Sequence, residues 1–265
     1  MATAYAGVDM SYHQNEVDYK ALKAGKIGNA PVKFAMLRSS IGYNKDLMFD
    51  EHYKGCKDAG LYVGVYHWIV AQNVTQARKE AQWLVNLLKG YEIDYPVALD
   101  FEDGDLFALK LSKEKYTAIV HAFMGVLEAA NYYVILYTNP DTLENRLLPE
   151  VREQYDLWLA HWVTRPADYG QKMWQYAALG TAEEVAKKWA TAIGSVPGLK
   201  MPCDVNWSYV GYAALIRKLG KNKAKAEDIP TVVVATKLCK TAAELTAAEN
   251  QLKTLGYEYN TVAAK

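Results

Sequence analysis

The stretch YPVALDFED, residues 95–103, is an apolar run that ends in three carboxylates, Asp100, Glu102 and Asp103. A second run, YVILY at residues 133–137, is apolar at every alternate position of both faces. A strand exposed on one side alternates apolar with polar residues, whereas a strand covered on both sides reads as a continuous apolar stretch. Both segments therefore read as parallel strands with covered faces. Working outward, further β-rich runs occur at residues 4–9, 34–39, 61–68, 157–162, 172–176 and 201–205, and the two opening runs extend to 97–102 and 132–138. Helical patterns lie between them: 50–59 ahead of Gly60, a segment capped by Asn73 or Thr75 and reaching about Lys89 before Gly90, and 113–130 opened by Ser112. Eight strands, at least half followed by helices, predict an α/β fold: a (β/α)8-like barrel with incomplete helices. A doubly wound sheet would want a Gly-rich phosphate loop after the first strand, and DMSYHQ at residues 9–14 is not one.

The barrel pattern ends near Leu219, so residues 1–219 read as the main domain. Residues 220–229 form a charged linker without apolar periodicity. Residues 230–265 then read as a small C-terminal β-α-β appendage, with TVVVATKL as its first strand and an Ala-rich helix at 241–255. Such a unit is too small to bury a core alone, so it is expected to dock on the barrel or to pair with a second copy as a homodimer.

Composition narrows the chemistry. Thirty Lys and Arg balance thirty Asp and Glu, which disfavours nucleic acid as the partner. The longest apolar stretch, residues 61–71, is far too short to span a membrane, so no membrane insertion is expected. The N-terminal MATAYAGVDMSYHQ carries no basic region followed by an apolar one, so no secretory signal is read there. Cys56, Cys203 and Cys239 form no CxxC pair, and the histidines at 13, 52, 67, 121 and 161 lack ligand spacing, so no metal and no cofactor is expected.

The acids carry the strongest chemical signal. In a strand, residues i and i+2 share a face with Cα atoms about 7 Å apart. Asp100 and Glu102 thus project together from the C-terminal end of an apolar strand, where barrels build their sites. Two carboxyl groups at that range are the working parts of a glycosidase, and crowding pushes their pKa values apart so that one keeps its proton. Asp9 and Asp204 end two other predicted strands, and a closed barrel would gather all these ends on one rim.

The runs GVDMSYHQ (7–14), GVYHW (64–68), ALDFED (98–103), ILYTN (135–139), LWLAHW (157–162), MWQYA (173–177) and CDVN (203–206) occur in a fixed order. In that order and over about residues 4–217, the chain resembles family 25 glycoside hydrolases, the Chalaropsis-type lysozymes of bacteria and phages. The resemblance implies a muramidase that acts on bacterial peptidoglycan, cleaving the β-1,4 bond between N-acetylmuramic acid and N-acetylglucosamine, as a phage endolysin or an autolysin. It implies Glu102 as proton donor, Asp100 as its partner at the oxocarbenium-like transition state or at the substrate's N-acetyl group, and Asp9 and Asp204 as the remaining acids. Tyr66, Tyr137, Trp162 and Trp174 are expected to line the sugar groove, and Arg38, at a strand end, to steady a carboxylate. Trp68 and Trp158 read as core, and His67 and His161 as structural. Residues 181–193 depart from the family pattern and read as an inserted helix at the rim. A wall-binding role fits the C-terminal unit, and synthesis in the host cytoplasm with later release, or non-standard secretion, fits the missing signal. Two other functions share the pattern: a non-catalytic wall-binding barrel, and a chitinase, whose longer DxxDxDxE motif is absent here.

Overall fold

The computed structural model describes residues 4–164 and 166–222. The predicted β-α-β unit and Cys239 lie outside the described residues. Eight strands form the ring: β1 (Tyr5–Met10), β2 (Ala30–Ile41), β3 (Tyr62–Trp68), β4 (Val97–Asp100), β5 (Val134–Thr138), β6 (Asp156–Ala160), β7 (Met173–Gly180) and β8 (Cys203–Ser208). β1 pairs in parallel with β2, and parallel pairing continues strand by strand to β7. β8 runs antiparallel to both β7 and β1 and so closes the barrel.

All eight expected strand segments are present, and the direction of the last departs from the parallel reading. The cause lies in the segment before it. A parallel return needs a crossover to the far end of the barrel. Here the chain after β7 stays at the rim: the Thr191 amide bonds the Ala178 carbonyl at 2.8 Å, and Ala192–Ile193 pairs with Leu179 and Gly180. The only way onward is back down. The inserted helix expected over 181–193 is also shorter, spanning Ala182–Ala186 with a capping box between Thr181 and Glu184.

Helices Phe49–Asp58, Val74–Leu87 and Lys113–Ala129 stand where the sequence places them. Asn73 caps the second by accepting from the Gln76 amide at 3.0 Å. Gly60 and Gly90, past two helix ends, adopt φ of +76° and +88°, where a side chain would be strained. Between β6 and β7 no helix forms among the described residues, so the outer layer is incomplete.

Alternate residues of each strand face inward, and their polarity changes with height. Phe34, Met36, Ala98, Ile135 and Met173 fill the lower barrel in one apolar cluster. Gly7 has no side chain because a Cβ there would lie 2.5 Å from the Phe34 ring. Helix Tyr212–Leu219 closes the bottom, adding Tyr212, Ala213 and Ile216 to the same cluster. One strand repeat higher, the inward positions become Asp9, Arg38, Asp100 and Gln175.

The packed barrel reaches beyond Leu219. Asn222 is buried; its Oδ1 accepts from the Tyr133 amide at 2.7 Å and its Nδ2 donates to the Tyr95 carbonyl at 2.8 Å. Removing that side chain strands two buried backbone groups, each costing roughly 1–3 kcal/mol. Asn222→Ala should therefore lower the urea midpoint clearly, and truncation after Leu219 should destabilise the barrel more than truncation after Asn222. Equal midpoints for the two truncations would show that the strand ends are closed by other contacts.

Candidate active site

The upper barrel encloses a cavity of about 240 Å³, walled by Asp9, Asp100, Glu102 and Asp204 together with Arg38, Tyr66 and Tyr137. β4 ends at Asp100, so Glu102 stands in the following loop and not in the strand. The ladder nonetheless runs one residue further, since the Phe101 amide donates to the Tyr137 carbonyl at 3.0 Å. Phe101 turns outward and is fully buried against Phe107 and Tyr116. The chain alternation therefore returns Glu102 to the cavity beside Asp100. Asp103 caps the helix Gly104–Ala108 through the Leu106 amide at 2.7 Å, which fixes the loop from its far end.

Two residues absent from the predicted set organise the acids. Asn206 donates from Nδ2 to Asp9 Oδ2 at 2.7 Å, and Gln175 donates from Nε2 to Asp9 Oδ2 at 3.1 Å and to Asp204 Oδ2 at 3.3 Å. A bulge between Val205 and Asn206 brings Gln175 level with Asn206 across the β7–β8 ladder. Both lie inside motifs visible in the sequence, MWQYA and CDVN. What would have singled them out is strand alternation: Gln175 sits between outward Trp174 and Tyr176, and Asn206 sits two residues beyond Asp204.

Burial and crowding decide where protons sit. Glu102 is half-buried, and burial first, then the charge of Asp9, lifts it to about 7. Asp9 is buried too, yet the hydrogen bonds from Asn206, Gln175 and Asp204 restrain it to about 6. Asp204 is driven well above the ordinary carboxyl range by burial and by the charges of Asp9 and Glu102, and its hydrogen bond with Asp9 raises it further. Asp100 is likewise driven well up by burial, Glu102 and Asp9, with Arg38 opposing. Asp100 Oδ1 is buried without a hydrogen-bond partner. The cavity thus offers Asp9 as its first anion and Glu102 as a proton held near neutrality. Tyr66 and Tyr137 stay neutral, since burial raises both phenols.

Other predicted residues distribute unevenly. Tyr137 donates to Gln175 Oε1 at 3.1 Å, and Tyr66 stands edge-on to Trp158 with centroids 6.0 Å apart. Trp162 is exposed at the rim, and its Nε1 donates to Gln175 Oε1 at 3.1 Å. Trp174 does not face the cavity: it shares the outer side of β7 with Tyr176, and its Nε1 bonds the His161 carbonyl at 2.7 Å. Conversely, Trp68 and Trp158, expected in the core, both wall the cavity. Trp158 is core and wall at once, 1% exposed, with Nε1 on Asn206 Oδ1 at 2.8 Å. Arg38 lies within β2, not at its end, and the carboxylate it binds is Asp46, at 2.8 Å. His67 is structural as expected, held between Ser40 Oγ at 2.8 Å and Glu80 Oε1 at 2.7 Å. His161 differs, because its Nδ1 is buried without a partner. Among the described residues no group of three or more His, Cys, Asp or Glu is arranged to hold a metal ion.

The model of Glycosyl hydrolases family 25 matches residues 8–185. The autolytic lysozyme of Clostridium acetobutylicum is 26% identical over 182 residues, which is 68% of this chain and 52% of that protein. The chain thus spans about half the length of this relative. The bacterial lysozyme of Streptomyces coelicolor superposes with a TM-score of 0.65 at 20% identity, covering 82% of this chain and 97% of that one. A family GH25 lysozyme of Aspergillus fumigatus superposes with a TM-score of 0.61 at 22% identity, covering 81% and 98%. These two structures share the mixed α/β barrel-like fold described above.

The raised acids carry a stability consequence. A carboxyl group whose folded value exceeds its unfolded value stabilises the fold while protonated, and that contribution is lost as pH rises through the folded value. Asp9 and Glu102 should therefore make the melting temperature fall as pH climbs through about 6 and about 7. Glu102→Gln should flatten the upper part of that fall. Parallel melting curves against pH for the native protein and the variant would contradict the assignment.

Proposed function

Because the chain belongs to glycosyl hydrolase family 25, we propose that it is a muramidase that adds water across the β-1,4 bond from N-acetylmuramic acid to N-acetylglucosamine in bacterial peptidoglycan. The observation that carries this reading is the division of labour among four carboxyl groups in one cavity: Glu102 keeps a proton near neutrality while Asp9, held by two amide donors, ionises first. Glu102 donates its proton to the glycosidic oxygen as the bond to the anomeric carbon breaks. The carboxylate of Asp9 faces the positive charge that develops on the sugar. This shifts the electrostatic role from Asp100, and the unpartnered Oδ1 of Asp100 suits the other role, orienting the substrate's acetamido group. Asp204 holds the proton shared with Asp9 and keeps the negative charge from doubling. Tyr66, Tyr137 and Trp162 offer ring faces to the sugars, and Arg38 acts through Asp46 on the cavity wall.

The eight-stranded ring is read as a (β/α)8-type barrel in which several helices are short or missing and the last strand is reversed. The relatives named as lysozymes support action at the cell wall, reached after release from the cytoplasm or by non-standard secretion. Residues 230–265 are assigned wall binding, with self-association as the competing role.

Mass spectrometry of fragments from purified peptidoglycan should show N-acetylmuramic acid at the new reducing ends, whereas reducing glucosamine ends would point to a glucosaminidase. Glu102→Gln should lose roughly 10²–10⁴-fold in rate or more. Activity should rise as Asp9 ionises near about 6 and fall as Glu102 loses its proton near about 7, giving a narrow bell. EDTA should leave the rate unchanged; a loss restored by a divalent ion would overturn the acid–base assignment.

A further inference from the structure

Asp9 bears the first negative charge of the cavity, and two side-chain amides hold it there. Each amide is itself aimed by a tryptophan. Trp158 Nε1 donates to Asn206 Oδ1 at 2.8 Å, and Trp162 Nε1 donates to Gln175 Oε1 at 3.1 Å. An indole N–H can only donate, so it fixes the carbonyl end of the amide and turns the NH2 end toward the acids. Gln175 is saturated: Oε1 accepts from Trp162 and Tyr137, and Nε2 donates to Asp9 and Asp204. A flipped amide would face two donors with donors and two acids with an acceptor.

The two tryptophans differ in one respect. Trp158 is sealed in the barrel, whereas Trp162 is 53% exposed on the segment between β6 and β7. Its backbone neighbour is pinned, since the His161 amide bonds the Gln175 carbonyl at 3.1 Å and the His161 carbonyl accepts from Trp174. An indole with its N–H committed inward and its ring in solvent keeps a flat apolar face free for a sugar.

We propose that Gln175 is a positioning residue that keeps the negative charge on Asp9 and the shared proton on Asp204, and that Trp162 is the rim contact through which a seated sugar tightens this arrangement. The proposal rests on the acid–base reading given above. The carboxyl groups facing Asp9 are Asp204 from β8, Asp100 from β4 and Glu102 from the loop beyond it. The other groups that feel its charge are the phenols of Tyr66 and Tyr137 and the thiol of Cys203, and Arg38 stands on the same cavity wall. None of these donates to Asp9 through an amide; without Gln175 the remaining donors to its carboxylate are the amide of Asn206 and the carboxyl of Asp204.

The test is the titration of Asp9, followed by carboxyl-carbon NMR on the full chain, alongside kcat and KM against pH on peptidoglycan. Gln175→Leu removes one donor to a charged group and should raise the Asp9 titration by about one unit. The acid limb of the rate profile should move with it, and kcat should fall roughly 10- to 100-fold with KM little changed. Trp162→Phe, at the exposed rim where folding is not at stake, keeps a ring for the sugar and loses the N–H. It should shift Asp9 in the same direction and lower kcat, while Trp162→Ala should raise KM as well. An unmoved Asp9 titration in both Gln175→Leu and Trp162→Phe would overturn the proposal, as would Trp162→Phe with native kinetics. The titration needs no substrate, so it decides the positioning role separately from the hydrolysis assay that decides the function.

Discussion

The structure depends on one electrostatic constraint: four carboxyl groups share one buried cavity. Two unit charges roughly 4 Å apart repel by about 4 kcal/mol at an effective dielectric of ~20, close to three pK units. The cluster therefore cannot ionise fully near neutral pH. It must keep protons on some members, and the protein chooses which by where it supplies donors. Asp9 receives Asn206 and Gln175, whereas Asp100 has an oxygen that receives nothing. The order of ionisation follows from that asymmetry.

The reversal of β8 serves this constraint. Running antiparallel beside β1, it sets Asp204 directly across from Asp9 and Asn206 across from Gly7, where no side chain intervenes. The bulge at Val205 and Asn206 then aligns Gln175 from β7 on the same level. Three strands thus converge on one carboxylate. A parallel last strand would enter from the bottom and present its C-terminal residues at the rim, with the opposite sequence of side chains facing β1.

The lower barrel pays for this polarity. Phe34, Met36, Tyr95, Ile135 and Met173 fill the interior beneath the acids, and Tyr212 and Ile216 close the end. A dry floor keeps the effective dielectric low above it, which is what lifts the acids and gives each amide hydrogen bond its leverage. The rim is built differently. Residues 181–202, which follow the end of β7, hold exposed Trp189, Ile193 and Met201, so apolar surface there faces solvent outside the barrel.

Continuous apolar runs such as YVILY, glycines past helix ends and the strand-end acids Asp9 and Asp100 are local signals, and from them the strand set, the main helices and part of the acidic rim were legible in the sequence. Local chemistry suffices there because burial on both faces, left-handed backbone and chain alternation act over a few residues. Asp204, expected at the C-terminal end of its strand, instead stands near the start of β8 and reaches the rim because that strand is reversed. The direction of β8, the outward turn of Trp174, the cavity-facing positions of Trp68 and Trp158, and the roles of Gln175 and Asn206 were not legible. Each depends on which strand stands next to which, and on a bulge that shifts one register. Above all, the identity of the anion was decided only in three dimensions. Asp9 and Asp100 are the same residue type at the same kind of strand end, and only the folded barrel gives amide donors to one and withholds them from the other.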